Sequence, residues 1–87
     1  MWNLKMYYIE AGLIRYEELG RIENDTGAED WVSYSYFHPR VTTSFFRWVL
    51  RDAKGFRCAW EVRDGIPMVT QRTERFSGQK ALGKTAT

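Results

Sequence analysis

The stretch from Phe45 to Phe76 limits most strongly what this chain can fold into, because it reads as two consecutive β-hairpins closed by turns of one kind. The turns are Asp52-Ala53-Lys54-Gly55-Phe56 and Val62-Arg63-Asp64-Gly65-Ile66. In each, three residues ending in Gly separate two strand-like runs, the pattern of a type I turn whose Gly takes the left-handed position in a bulge. A three-residue loop joins residues of like parity. One face is then predicted to carry Phe46, Trp48, Leu50, Phe56, Cys58, Trp60, Val62, Ile66 and Met68, and to be core. The other would carry Arg47, Arg51, Arg57, Arg63 and Arg75, with Val49, Ala59, Val69 and the single acid Glu61. At Asp64-Gly65 a two-residue type I′ turn competes; it would bring Pro67, Val69 and Gln71 to the core face and leave Ile66 and Met68 outside. Burial of Ile66 and Met68 together favours the three-residue form.

Trp2, Leu4, Met6 and Tyr8 alternate with Asn3, Lys5 and Tyr7, which is a strand period. Ile9-Glu10-Ala11-Gly12-Leu13 repeats the three-residue turn pattern, predicting Tyr7 opposite Arg15 and Lys5 opposite Glu17. Leu13 to Glu23 is ambiguous, since Leu13, Tyr16, Leu19 and Ile22 also fit a helix stripe. A strand is preferred because it preserves parity and because no capping residue stands at its start. Asn24-Asp25-Thr26-Gly27-Ala28 reads as a fourth loop. Trp31 to Phe37 follows as a strand, with Val32, Tyr34 and Tyr36 alternating with Ser33 and Ser35. His38-Pro39-Arg40 ends it.

The predicted fold class is therefore all-β: a small antiparallel up-and-down meander of about six strands, curled into a barrel or coiled sheet. The alternative is α+β, with one helix near residues 13–22 packed on an antiparallel sheet. Residues 1–76 form a single β-rich domain on this reading, and 77–87 a mobile basic tail.

Eighty-seven residues suffice for one modest core. Four Trp, five Phe and five Tyr supply the buried area that so short a chain otherwise lacks. Cys58 is the only cysteine, and no charged start followed by an apolar run opens the chain, so a reducing, cytoplasmic setting is expected. No apolar run reaches the roughly 20 residues of a membrane-spanning helix. Charge is unevenly distributed: residues 1–44 have four Lys or Arg against seven acids, and residues 45–87 nine against four.

No constellation points to catalysis. One His and one Cys are too few for an ordinary zinc site. Cys58 lies between core aromatics, where burial raises a thiol pKa and opposes thiolate chemistry with His38. Glu17-Glu18 and Glu29-Asp30 are sequence neighbours, which in a strand point to opposite faces. No phosphate-cradling glycine loop is present. No cofactor is expected. What remains is the arginine face, whose forks suit phosphates and carboxylates. Outward strand positions also favour polar residues whatever their function, and arginine stems cover apolar surface.

The expected function is accordingly that of a non-enzymatic binding module. It would engage an anionic partner, either nucleic acid or an acidic protein surface, through Arg47, Arg51, Arg57, Arg63 and Arg75, with Tyr34, Tyr36 and His38 as further contacts. A protein-protein inhibitor or adaptor of the phage or mobile-element accessory type is the alternative, with aromatic anchors and an arginine rim. A third reading is a small ligand-binding barrel whose cavity is lined by Tyr34, Tyr36 and Trp60.

Overall fold

The computed structural model describes residues 2–37 and 45–78. Five strands and one helix follow one another as β1 (Trp2–Glu10), β2 (Leu13–Ile22), α1 (Asp25–Tyr36), β3 (Phe46–Asp52), β4 (Gly55–Arg63) and β5 (Ile66–Arg72). All neighbouring strands are antiparallel, in the spatial order β2-β1-β3-β4-β5. The fold is mostly antiparallel sheet, as the alternation predicts, with a single helix on one face. The sheet stays open, so the barrel does not form, and the described residues form five strands where about six were expected.

Leu13 to Ile22 is a strand paired with β1, as preferred over a helix there. The helix comes instead from the segment read as a loop and a strand. Asn24 is its N-cap, with Oδ1 accepting from Gly27 N at 2.7 Å, and Asp25 adds an acid to the first turn. Its buried stripe is Asp25, Ala28, Glu29, Val32 and Ser35, at the 3- and 4-residue intervals of one helix face. The Tyr-Ser alternation of 31–37 is thus incidental: Tyr34 and Phe37 are 60% and 64% exposed, whereas Ser35 is buried.

The helix covers the sheet face bearing Leu4, Met6, Phe46, Trp48, Leu50, Cys58 and Trp60, all buried; Ile22, Ala28, Val32 and Phe76 complete that core. Parity therefore identifies this face correctly for most of β1, β3 and β4. Two contacts fix the helix upon it. Trp48 Nε1 donates to Ser35 Oγ at 2.8 Å, and Ser35 Oγ donates to the Val32 carbonyl at 3.1 Å. One helical turn earlier the second contact is made by the Trp31 ring, which lies on Gly20, where a Cβ would come within 2.2 Å of it.

Turn chemistry departs from expectation at two hairpins. Ala11 and Gly12 have φ of 53° and 79°, and so do Asp64 and Gly65, the left-handed pair of a two-residue type I′ turn. Tyr7 consequently faces Tyr16 and Lys5 faces Glu18, not Arg15 and Glu17. In the second case Val62 faces Pro67 and Trp60 faces Val69. Pro67 and Val69 join the core side, and Met68 stands opposite Glu61 on the other face. At the β3–β4 turn Gly55 has the positive φ expected of it, 113°, and Trp48 stands opposite Trp60 as predicted, but Asp52 pairs with Gly55 rather than with Phe56.

That turn is followed by a bulge. Leu50 faces Cys58 but Arg51 faces Phe56, so Arg57 is the inserted residue. Phe56 moves to the open face and Arg57 to the helix side. Beyond β5 the chain remains attached, since Ser77 donates to Asp25 from both its N and its Oγ, each at 2.8 Å. Residues 79–87, which include most of the predicted tail, and His38 lie outside the described residues.

Candidate functional site: the open sheet face

Because α1 covers only one side of the sheet, the other side has no second layer among the described residues. Strand register arranges it in rows. One row runs Glu18, Lys5, Val49, Ala59, Gln71 across all five strands, and the next runs Tyr16, Tyr7, Arg47, Glu61, Met68. Asn3, Arg51 and Phe56 form part of a third row, and Arg63 with Ile66 lies at the opposite end. Val49 and Ala59 are buried although no layer covers them, because they sit at the foot of longer side chains.

Of the five arginines predicted on this face, three are there. Arg47 occupies its centre, where one guanidinium nitrogen binds Glu61 and another reaches Gln71 Oε1 at 3.4 Å. Arg63 approaches the second oxygen of Glu61 at 2.9 Å. Glu61 thus sits between two cations and orients both. Arg51 is exposed beside Phe56. Sequence reasoning missed the remaining members, Lys5, Tyr7 and Tyr16. Lys5 Nζ lies 4.7 Å from the Tyr16 ring centre, and the Tyr7 and Tyr16 rings are 5.7 Å apart. The parity count contained Tyr7 and Lys5, but the wrong register at Ala11-Gly12 put Tyr16 on the core side.

Arg57 and Arg75 do not belong to the site. They form a clasp at the end of the molecule where α1 begins. Arg57 binds Asp25 through two nitrogens, at 2.7 and 3.0 Å, and Asp52 through the third, at 2.9 Å. Its guanidinium also stacks 4.2 Å from the Trp2 ring centre. Arg75 forks onto both oxygens of Asp52, at 3.0 and 2.9 Å, and donates to the Phe56 carbonyl at 2.7 Å. Burial alone would raise the Asp25 pKa, but the hydrogen bonds from Arg57 and Ser77 outweigh it, so the carboxyl titrates below its ordinary value. The fork from Arg75, against the opposing effect of burial, holds Asp52 well below the carboxylate range. Arg57 is in turn held above its ordinary value by the Asp25 hydrogen bonds, although burial opposes this.

Tyr34 stands exposed on α1, edge-on to Trp31 at 5.7 Å. Tyr36 is half-buried, its ring against Phe46 and Trp48 and its hydroxyl donating to the Gly65 carbonyl at 3.1 Å. Both lie on the helix, away from the open face, so the structure does not unite them with the arginines. Trp60 is fully buried in the core, with its ring edge-on to Phe76. Cys58 is fully buried too, and burial pushes its thiol up to about 12, which opposes thiolate formation. Among the described residues no group of His, Cys, Asp or Glu is placed to hold a metal ion, and no helix is long and apolar enough to cross a membrane.

The open face thus combines cations, two of them held by Glu61, with the exposed Tyr16 ring and the part-buried rings of Tyr7 and Phe56. No family model, curated protein or solved structure matches the chain.

Proposed function

We propose that the protein is a non-enzymatic binding module whose open sheet face engages single-stranded nucleic acid. The observation in support is the company its cations keep. Lys5, Arg47, Arg51 and Arg63 project from the same uncovered surface as Tyr7, Tyr16 and Phe56. Cations follow a phosphate backbone and rings stack bases, a combination that serves single strands without reading sequence. An acidic protein surface would satisfy the cations but would leave the rings without a role.

The test is fluorescence anisotropy with labelled single-stranded RNA and DNA across a salt series. Four cations should give a slope of log K against log salt of about −2 to −3. Arg51→Glu with Arg63→Glu should weaken binding about a hundredfold, because two contacts become repulsive. Tyr7→Ala should weaken it about tenfold at every salt concentration, through lost stacking. Absence of binding to either nucleic acid at low salt would discard nucleic acid as the partner.

A second reading draws on the opposite kind of surface. Tyr34, Phe37 and Phe45 are exposed, as the aromatic anchors of a protein adaptor would be. Adaptor binding would persist at high salt and survive the arginine reversals.

A further inference from the structure

The two edges of the sheet differ. Strand β5 is interrupted by Pro67 near its start and by a bulge between the pairs that flank Thr70, both devices that discourage pairing with another strand. Strand β2 has neither in its first seven residues. From Leu13 to Leu19 its register with β1 is continuous, and irregularity enters only between Leu19 and Ile22, beside Gly20. No described strand pairs with its outer edge.

We infer that this edge is a homodimer interface, in which Leu13–Leu19 pairs antiparallel with the same segment of a second copy about a two-fold axis at Tyr16. The hairpin geometry selects that register. In a two-residue hairpin the residues flanking the turn exchange both hydrogen bonds, so Leu13, Arg15, Glu17 and Leu19 direct their backbone groups to β1. Ile14, Tyr16 and Glu18 direct theirs outward. Tyr16 is the midpoint of the regular stretch, so a two-fold there uses all three outward residues and ends at the turn and the bulge.

Side chains agree with this register. A two-fold perpendicular to the sheet keeps each face on its own side, so residues of like parity meet. Arg15 then meets Glu17 of the second copy twice, and Leu13 meets Leu19 twice. Tyr16 meets its own counterpart, and Ile14 meets Glu18. Centring on Glu17 instead would oppose two like charges, and centring on Arg15 would do the same. Arg15 is free to change partner, because its ion pair with Glu10, at 3.2 Å, is solvent-exposed on both sides. The contact also covers Leu13, Ile14 and Tyr16, which are 60%, 71% and 55% exposed in a single copy. The result is a ten-stranded sheet with both helices on one side and both open faces on the other. It stands whether or not the open face binds nucleic acid.

Seven residues a side is far below the roughly 20–30 of a standard interface, so the association is weak and reversible. Sedimentation of the full chain across micromolar to millimolar concentrations should show a mass rising from 10.3 kDa toward twice that value. Arg15→Glu alone and Glu17→Arg alone should each weaken dimerisation about tenfold or more, and an equimolar mixture of the two should restore it, since every pair is then of opposite sign. Register is read by cysteine cross-linking, which needs Cα atoms about 4.4–6.8 Å apart; Cys58 is buried and does not compete. Tyr16→Cys should cross-link to itself. Ile14→Cys and Glu18→Cys should cross-link only when mixed. A monomer at every concentration overturns the inference, as does cross-linking of Ile14→Cys to itself or a mixture of charge variants that fails to recover.

Discussion

The two faces of the sheet use arginine in opposite ways. On the helix side, Arg57 has a side chain 12% exposed and each of its three guanidinium nitrogens donates to Asp25 or Asp52, with Trp2 beneath the guanidinium. On the open side, Arg63 is 53% exposed and shares Glu61 with Arg47. An arginine surrounded by carboxylates holds the protein together, because removing it leaves Asp25 buried without a counter-charge. An arginine at the surface contributes little to stability and is available to a partner. Five arginines that look equivalent in a strand pattern therefore divide into a pair held by carboxylates at the start of α1 and three on the open face.

The largest effect should come from the covered face. Trp60 is fully buried against the Phe76 ring, with centroids 5.6 Å apart, and Trp60→Ala is expected to cost about 3 to 5 kcal/mol. Thermal or denaturant unfolding measures this, and a cooperative transition at the parent midpoint would contradict the placement of the core.

Next comes the clasp. Arg57→Leu should cost about 3 kcal/mol, since Asp25 would remain buried with only Ser77 as donor. The clasp also sets the acid limit of stability. Asp25 and Asp52 both titrate lower in the folded chain than in the unfolded one. Their contribution is fully present above the unfolded carboxylate pKa of about 4 and is lost as pH falls below it. Unfolding free energy should drop steeply below about pH 4 in the parent and less steeply in Arg57→Leu; identical acid limbs would show that the clasp is not the titrating element.

A smaller loss is expected at Gly20, where the Trp31 ring takes the place of a side chain. Gly20→Ala should cost about 1 to 3 kcal/mol by displacing the ring, with a change in tryptophan fluorescence. Least affected should be the open face. Arg51→Glu with Arg63→Glu should change stability by about 0.5 kcal/mol or less while abolishing most oligonucleotide binding. A large loss of stability in that variant would erase the distinction between the two faces.

Alternation by itself determined that Phe46, Trp48, Leu50, Cys58 and Trp60 share a buried face, because side chains in a strand change sides at every residue. It also placed Arg47, Arg51 and Arg63 on the other side. The positive φ at Gly55 was legible because such a conformation calls for glycine, although the pairing across that turn was not. Tertiary structure decided the rest. Val32, Tyr34 and Tyr36 fit a strand period, while Ala28, Val32 and Ser35 fit a helix; the Asn24 cap and an apolar sheet face in need of cover settled it for the helix. Turn length at Ala11-Gly12 and Asp64-Gly65 changed the register by one residue and so moved Tyr16, Pro67 and Met68 to the opposite face. The insertion of Arg57 as a bulge left no local mark in the sequence, because what holds it there are Asp25 and Asp52, 32 and 5 residues away. Periodicity reports only on neighbours along the chain, whereas a bulge, a register and an ion-pair clasp are chosen by groups that meet after the chain has folded.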